Sequence, residues 1–300
     1  MLTARIAALL ATITFASPLL AASQPVAVAP EARTFAVGSI KAAALHDADF
    51  AAPNDGKTFG VDVGPAAVAK VLAAAGAPAD TLHLSVSALL VMLPRRVVVI
   101  DTGLGFKANG QLIASLAAAG VKPEAVTDVL ITHSHGDHVG GLVSAGGTLA
   151  FPNAKIRMAA AEWTFLQGNA DAAKLVAAIT PQVATFTPGT TVVPGITAIA
   201  VTGHTPGHMS YELVSGKARL LDIGDSAHSA IVSLAEPDWS MGFDSDKALG
   251  KASRRALLTR LSRSHEMVFS PHFPYPGVGT VAAKGSGFAW VPAAAGTFTN

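Results

Sequence analysis

The sequence contains no cysteine. Disulfides, thiol nucleophiles and thiolate metal ligands are excluded together, so any metal must be held by histidine and carboxylate. Charge is also scarce. Asp, Glu, Lys and Arg make up 14% of the 300 residues, and the formal net charge is +1. A nucleic-acid-binding surface needs a basic excess or a basic run. Arg254-Arg255 and the scattered lysines supply neither. The expected partner is therefore a small molecule of little charge, with no nucleic acid involved. Aromatic residues reach only 6%, with two tyrosines, Tyr211 and Tyr275. Apolar residues are plentiful, half of the chain, enough to fill a large core.

The one long apolar run is N-terminal. Arg5 precedes an apolar stretch over residues 6–20, and the small residues Ala21-Ala22-Ser23 follow. This layout predicts a secretory signal over residues 1–22, cleaved near Ala22. An N-terminal membrane anchor is the alternative. The run is shorter than the usual span of about 20 residues and contains Pro18, which disfavours it. The expected mature protein, residues 23–300, is a single domain, periplasmic or secreted, with no stable membrane association.

Periodicity predicts alternating elements. Residues 24–32 read as an irregular leader, 34–45 as an edge strand and 63–77 as a helix. Strands follow at 82–92 and at Arg96-Val97-Val98-Val99-Ile100, an apolar run of the kind buried on both faces. Further strands are predicted at 128–132, 155–158, 196–201, 220–224 and 268–270, and helices at 111–119, 170–179 and 253–261. Repeats and composition shifts are lacking. The alternation predicts one α/β domain with sheets inside and helices outside.

The chemistry concentrates where the strand 128–132 ends, in Thr132-His133-Ser134-His135-Gly136-Asp137-His138. His133 and His135 are two apart, so an extended segment points both to one side. Gly136 permits a bend that brings Asp137 and His138 toward a second ion. Gly140-Gly141 lets the following segment pack closely behind. Three further places just past predicted strands offer donors: Gly203-His204-Thr205-Pro206-Gly207-His208, Gly224-Asp225 and Pro271-His272. One histidine of the 203–208 segment is the natural third nitrogen ligand, and Asp225 could bridge two ions. Open α/β sheets place their sites at such strand ends.

The pattern His-x-His-x-Asp-His followed by His, Asp and His resembles the metallo-β-lactamase superfamily. The segments 203–208, 224–225, 244–247 and 272–279 resemble its methyl parathion hydrolase-like and lactonase branch. The resemblance runs from about Phe35 to Pro292 and implies the four-layer αβ/βα sandwich. Carried over by position, it implies one ion held by His133, His135 and His208 and another held by Asp137, His138 and His272, with Asp225 bridging. It gives His204 a supporting, hydrogen-bonded role. It implies two divalent transition-metal ions, zinc first among them. The lack of cysteine departs from the zinc–cysteine site of one group of true β-lactamases.

Paired ions bring the pKa of a shared water down to roughly 7 and polarise the electrophile. Asp137 is the expected catalytic residue, ligating and orienting that water and moving its proton. Asp101 ends a strand nearby, either as a support for a ligand histidine or as a plain turn residue. His228 either faces the pocket or supports it. His46, His83 and His265 have no recognisable partner. Trp163, Phe165, Phe243, Phe273 and Tyr275 are candidates for an apolar wall or for core. The expected function is hydrolysis of lactones or other esters, with organophosphate triesters as a side activity. A periplasmic β-lactamase and a non-enzymatic metal-binding module are the alternatives.

Overall fold

The computed structural model describes residues 25–298, so the segment read as a signal lies outside the described residues. The chain opens with β1 (Pro25–Val26) and β2 (Glu31–Val37), which both pair with the long β3 (Ile40–Pro53). The stretch read as one edge strand over 34–45 is a hairpin, folded at Gly38 with φ +60°. A Cβ at Gly38 would lie 2.7 Å from the Ser215 carbonyl oxygen, so both the turn and the close approach need glycine. The leader read as irregular likewise contributes paired backbone. Helix α1 (Pro65–Ala74) begins with proline at its first position, where no amide hydrogen is required.

Strand β4 (Thr81–Leu93) runs antiparallel along nearly all of β3, and β5 (Arg96–Ile100) returns beside it. After α2 (Leu112–Ala118), β6 (Asp128–Leu130) adds in parallel. The short α3 (Gly136–Val139) then carries part of the histidine cluster. Strand β7 (Lys155–Ala159), α4 (Ala160–Gln167), α5 (Ala173–Ile179) and β8 (Val183–Phe186) complete an eight-stranded sheet.

The second sheet has seven strands. They are β9 (Thr191–Val193), β10 (Ile196–Ala200), β11 (Met209–Ser215), β12 (Ala218–Asp222), β13 (Met267–Phe269), β14 (Val278–Lys284) and β15 (Gly287–Pro292). Between β12 and β13 lie α6 (Val232–Ala235) and α7 (Lys247–Ser264). The sheet runs in reverse chain order from β15 to β9, with only β12 and β13 parallel.

The two sheets face each other across one core, in which Phe35, Leu89, Val98 and Ile100 meet Ile196, Tyr211, Leu213 and Phe269. Helices α2, α4 and α5 cover the outer face of the first sheet through Leu112, Leu116, Leu166 and Ile179. Helix α7 covers the second through Leu257, Leu258 and Leu261. Each such buried leucine contributes roughly 1.5–3 kcal/mol. The layers run helix, sheet, sheet, helix, the expected αβ/βα sandwich. Among the described residues no helix is long and apolar enough to cross a membrane.

Candidate metal centre

Four strand ends converge at one edge of the sandwich. The loop after β6 delivers His133 to His138, that after β10 delivers His204, that after β12 delivers Asp225, and that after β13 delivers His272. Two groups of donors result, each with its ligand atoms within 4.8 Å of one another. One is His133, His135, His204 and Asp225; the other is Asp137, His138 and His272.

In the first group the ring nitrogens nearly touch. His133 Nε2 lies 3.1 Å from His135 Nδ1, and His204 Nε2 lies 3.1 Å and 2.9 Å from those two atoms. Asp225 Oδ2 is 3.5 Å from His133 Nε2 and 3.4 Å from His204 Nε2. In the second group Asp137 Oδ2 is 3.7 Å from His138 Nε2 and 3.5 Å from His272 Nε2. Asp225 Oδ1 faces this group, 3.2 Å from His138 Nε2 and 3.1 Å from His272 Nε2. One carboxylate therefore looks into both groups, the position expected of a bridging ligand.

The donors fit cations. His138 Nε2 and Asp225 Oδ1 are buried without a hydrogen-bond partner among the described residues, a costly condition unless an ion supplies the partner. Burial, followed by the positive field of His138, holds His133 well below the usual imidazole range. Burial and His204 push His135 down to about 3. Both are held in the neutral form that ligates. At His138 and His204 burial is outweighed by the Asp225 carboxylate and its neighbours, which raise the imidazole, His204 to about 9, so an ion there must displace a proton. Burial alone would raise the pKa of Asp225, but His138, His272 and His133 outweigh it and hold the carboxyl well below its ordinary range. Asp137 is lowered in the same way by His138 and His272 against burial.

The other nitrogen of most rings is already engaged, which fixes the tautomer. His138 Nδ1 donates to Asp101 Oδ2 at 2.7 Å, and His272 Nδ1 donates to the Ser85 carbonyl at 2.8 Å. His133 Nδ1 donates to Thr132 Oγ1 at 3.1 Å, while that hydroxyl donates to Asp101 Oδ2 at 2.7 Å. Asp101 is thus a support for two ligand histidines, and it occupies the left-handed region at φ +62° to be so. Gly141 lets the cluster's loop pack behind: a Cβ there would lie 2.0 Å from the Thr102 carbonyl oxygen.

The geometry corrects one expected ligand. His208 is fully buried but belongs to neither donor group. Its Nε2 accepts the backbone N–H of Asp225 at 2.9 Å, and a lone pair engaged there cannot ligate. His204 takes the place expected for His208, and His208 takes the supporting place expected for His204. His133, His135, Asp137, His138, Asp225 and His272 are brought together as expected.

Two residues of the site escape the search for ligands, although Asp244 lies in the 244–247 segment that carries part of the resemblance. Glu162 of α4 is fully buried and joins two ligand loops. Its Oε1 accepts Ser134 N–H at 2.7 Å and Ser134 Oγ–H at 2.5 Å. Its Oε2 accepts Thr205 Oγ1–H at 2.6 Å and Gly207 N–H at 3.1 Å. Asp244 sits behind His204, with Oδ1 3.1 Å from His204 Nδ1. A helical glutamate and a loop aspartate look ordinary until the chain folds them inward.

His228 does reach the site, with Nε2 3.1 Å from Asp225 Oδ2 and its ring stacked on His272. Of the proposed wall aromatics, Phe243 adjoins the cluster, 5.4 Å from the His228 ring. Phe273 is core against Trp290, and Trp163 packs in the core under α4. Tyr275 stacks on His46, whose Nε2 also lies 3.0 Å from Asp49 Oδ1. His46 therefore has partners that the sequence did not reveal.

Comparison with known proteins agrees with this geometry. The Metallo-beta-lactamase superfamily model matches residues 82–272. An N-acyl homoserine lactonase of Bacillus cereus is 26% identical over 217 residues, 65% of this chain and 84% of that protein. Among solved structures, AidC, a dizinc quorum-quenching lactonase in complex with the product N-hexanoyl-L-homoserine, superposes with a TM-score of 0.84. It is 26% identical and covers 88% of this chain and 98% of its own. AbOPH, a hydrolase in the beta lactamase superfamily, superposes with a TM-score of 0.81 at 26% identity, over 89% of this chain and 99% of its own. With the four-layer fold, the paired donor groups and the matching model in agreement, the chain belongs to the metallo-β-lactamase superfamily and is a metal-dependent hydrolase.

Proposed function

We propose that the protein opens lactones, with N-acyl homoserine lactones as the leading substrate class, and that the bound ions are two zincs. The carrying observation is the likeness to a dizinc lactonase over 98% of that lactonase's length, joined to two donor groups that share Asp225. Paired divalent ions, when bound, lower the pKa of water to roughly 7 and polarise the substrate carbonyl.

The chain's own residues do the rest. Asp137 has a side chain 16% exposed against 0–4% for His133, His138, His204, Asp225 and His272, so it faces the mouth of the site. Its carboxylate is held ionised and can accept the proton that water loses on attack. Returned to the departing ring oxygen, that proton completes the balance, water plus lactone giving one hydroxy acid. The imidazoles hold position because their distal nitrogens are fixed by Asp101, Thr132, Ser85 and Asp244. Phe243 offers apolar surface for the part of the substrate that does not react.

The same chemistry extends to aryl esters and organophosphate triesters as side activities, because these leaving groups also depart as oxygen anions. A β-lactam instead requires protonation of a departing nitrogen and a basic residue to grip its carboxylate. Arg254, behind the His204 group, has its donors engaged by Asp244 and three backbone carbonyls, so it cannot supply that grip. A panel of N-hexanoyl homoserine lactone, an aryl ester, a phosphotriester and nitrocefin tests the reading. The lactone should exceed nitrocefin in kcat/KM by at least about tenfold, a barrier difference of roughly 1.4 kcal/mol. A preference for nitrocefin would reverse the assignment. We propose export as well, on the strength of Arg5, the apolar run and Ala21-Ala22. Mass spectrometry of the native protein should find a chain starting near Ser23, and an intact Met1 in the soluble fraction would refute export.

A further inference from the structure

Behind His204 lies a buried ion pair that neither hydrolysis nor the donor list requires. Arg254 of α7 is 1% exposed and Asp244 is 4% exposed. The two carboxylate oxygens of Asp244 divide their work. Oδ2 accepts from Arg254 Nη2 at 2.8 Å, and Oδ1 faces His204 Nδ1 at 3.1 Å. The guanidinium makes three more bonds: Nε to the Ser226 carbonyl at 3.1 Å, and Nη1 to the Pro237 and Trp239 carbonyls at 2.9 and 3.0 Å. Ser226 directly follows Asp225. One buried cation therefore touches both the partner of His204 and the neighbour of the shared carboxylate.

The backbone is built around this contact. Ser245 N–H donates to the His204 carbonyl at 3.0 Å and Asp246 N–H to the Gly203 carbonyl at 2.9 Å, which zips the 244–246 strap onto the ligand loop. Two glycines make the room. A Cβ at Gly250 would lie 2.6 Å from Asp244 Oδ2, and one at Gly203 would lie 2.3 Å from Gly250 N. No larger residue fits at either place without moving the strap. An ion pair serving only to anchor α7 needs neither the split carboxylate nor the second zip onto 203–204.

We infer that Asp244, held by Arg254, is a positioning residue that keeps the proton of His204 on Nδ1 and so presents Nε2 to one of the two metal ions. The inference rests on the reading of the cluster as a two-ion site and concerns only the His133–His135–His204 side. The other group has its own supports in Asp101 and Ser85. Replacing Asp244 by Asn shows the logic. The amide oxygen stays with the guanidinium, because that bond is charge-assisted. The amide NH2 then faces His204 Nδ1, which must become an acceptor. The imidazole proton moves to Nε2, among the donors, where it blocks ligation.

Two measurements on the zinc-loaded full chain test this, neither involving a substrate. First, ¹⁵N-histidine NMR of the parent, with His204 assigned by its loss in His204→Gln, should show His204 protonated at Nδ1. A proton on Nε2 overturns the inference, and this holds even if Asp244→Asn folds poorly. Second, equilibrium dialysis of Asp244→Asn against a zinc chelator should show one ion bound as in the parent and the other weakened about 10–100-fold. Two ions held with parental affinity, or equal weakening of both, also overturns it. A parent that binds fewer than two ions would instead sink the two-ion reading, so the two failures are told apart.

Discussion

His208 and Asp225 meet through the backbone, with His208 Nε2 accepting the Asp225 N–H at 2.9 Å. The bond leaves His204 as the donor on that loop and gives His208 the task of holding the turn after β12. Gly224 makes the approach possible. Its φ is +47°, and a Cβ there would lie 2.7 Å from His208 Nε2.

Substitution separates the two histidines. His204→Ala removes a direct donor and should weaken one ion by more than about 100-fold, beyond the range of a supporting residue. His208→Ala leaves the Asp225 N–H unpaired and should cost about 10–100-fold in metal affinity. Zinc titration with a competing chelator measures both. A greater loss from His208→Ala would restore the opposite assignment.

Elemental analysis of active protein should give about two transition-metal ions per chain. Stripping them should abolish hydrolysis and lower the unfolding temperature, since ligands that bind only the folded state stabilise it. Full activity at one ion per chain would contradict the paired site.

Glu162→Gln swaps two acceptor oxygens for one oxygen and an NH2 that must face donors from Ser134 or from Thr205 and Gly207. The expected cost is about 2–3 kcal/mol, as for an unsatisfied buried group. Chemical denaturation measures it, and a loss below about 0.5 kcal/mol would mean the two ligand loops do not depend on this residue.

Asp47 carries a pH dependence outside the two donor groups, though the charge of Asp137 adds to it. Burial pushes its carboxyl from 3.8 up to about 6, although the backbone N–H groups of Leu104 and Leu112 oppose the rise. A raised carboxyl favours the folded state fully below 3.8, and that contribution is lost as pH climbs through about 6. The difference in unfolding free energy between the parent and Asp47→Asn should therefore decline by roughly 2 kcal/mol from pH 4 to pH 7. A carboxyl resonance of Asp47 titrating near 4 would disprove it.

The buried strands and the loop after β6 were legible because their signals are local. Arg96–Ile100 is an apolar run with turn residues on either side, and the 133–138 spacing dictates which side chains share a face. Periodicity gives no strand at β8, β9, β14 or β15. These are short or partly exposed strands whose pairing depends on distant neighbours. His204 and His208 stand at the same strand end with alike neighbours, and only the fold shows which one is turned toward the backbone of Asp225. Asp244 acquires its role through Arg254, ten residues along, in a contact that no periodicity records.

The donors hang from both sheets: His133, His135, Asp137 and His138 from the first, His204, Asp225 and His272 from the second. Neither half of the chain can enclose an ion alone. A bound metal pair would thus be a rivet through the seam of the sandwich, since its ligands meet only where the two halves dock in register. A slip of one sheet along the other, harmless to an oily interface, would pull the ligand sets apart. Bound ions would therefore favour the correctly docked halves as well as serve chemistry at the rim. Separately expressed halves should stay dissociated in chelator and associate when zinc is added.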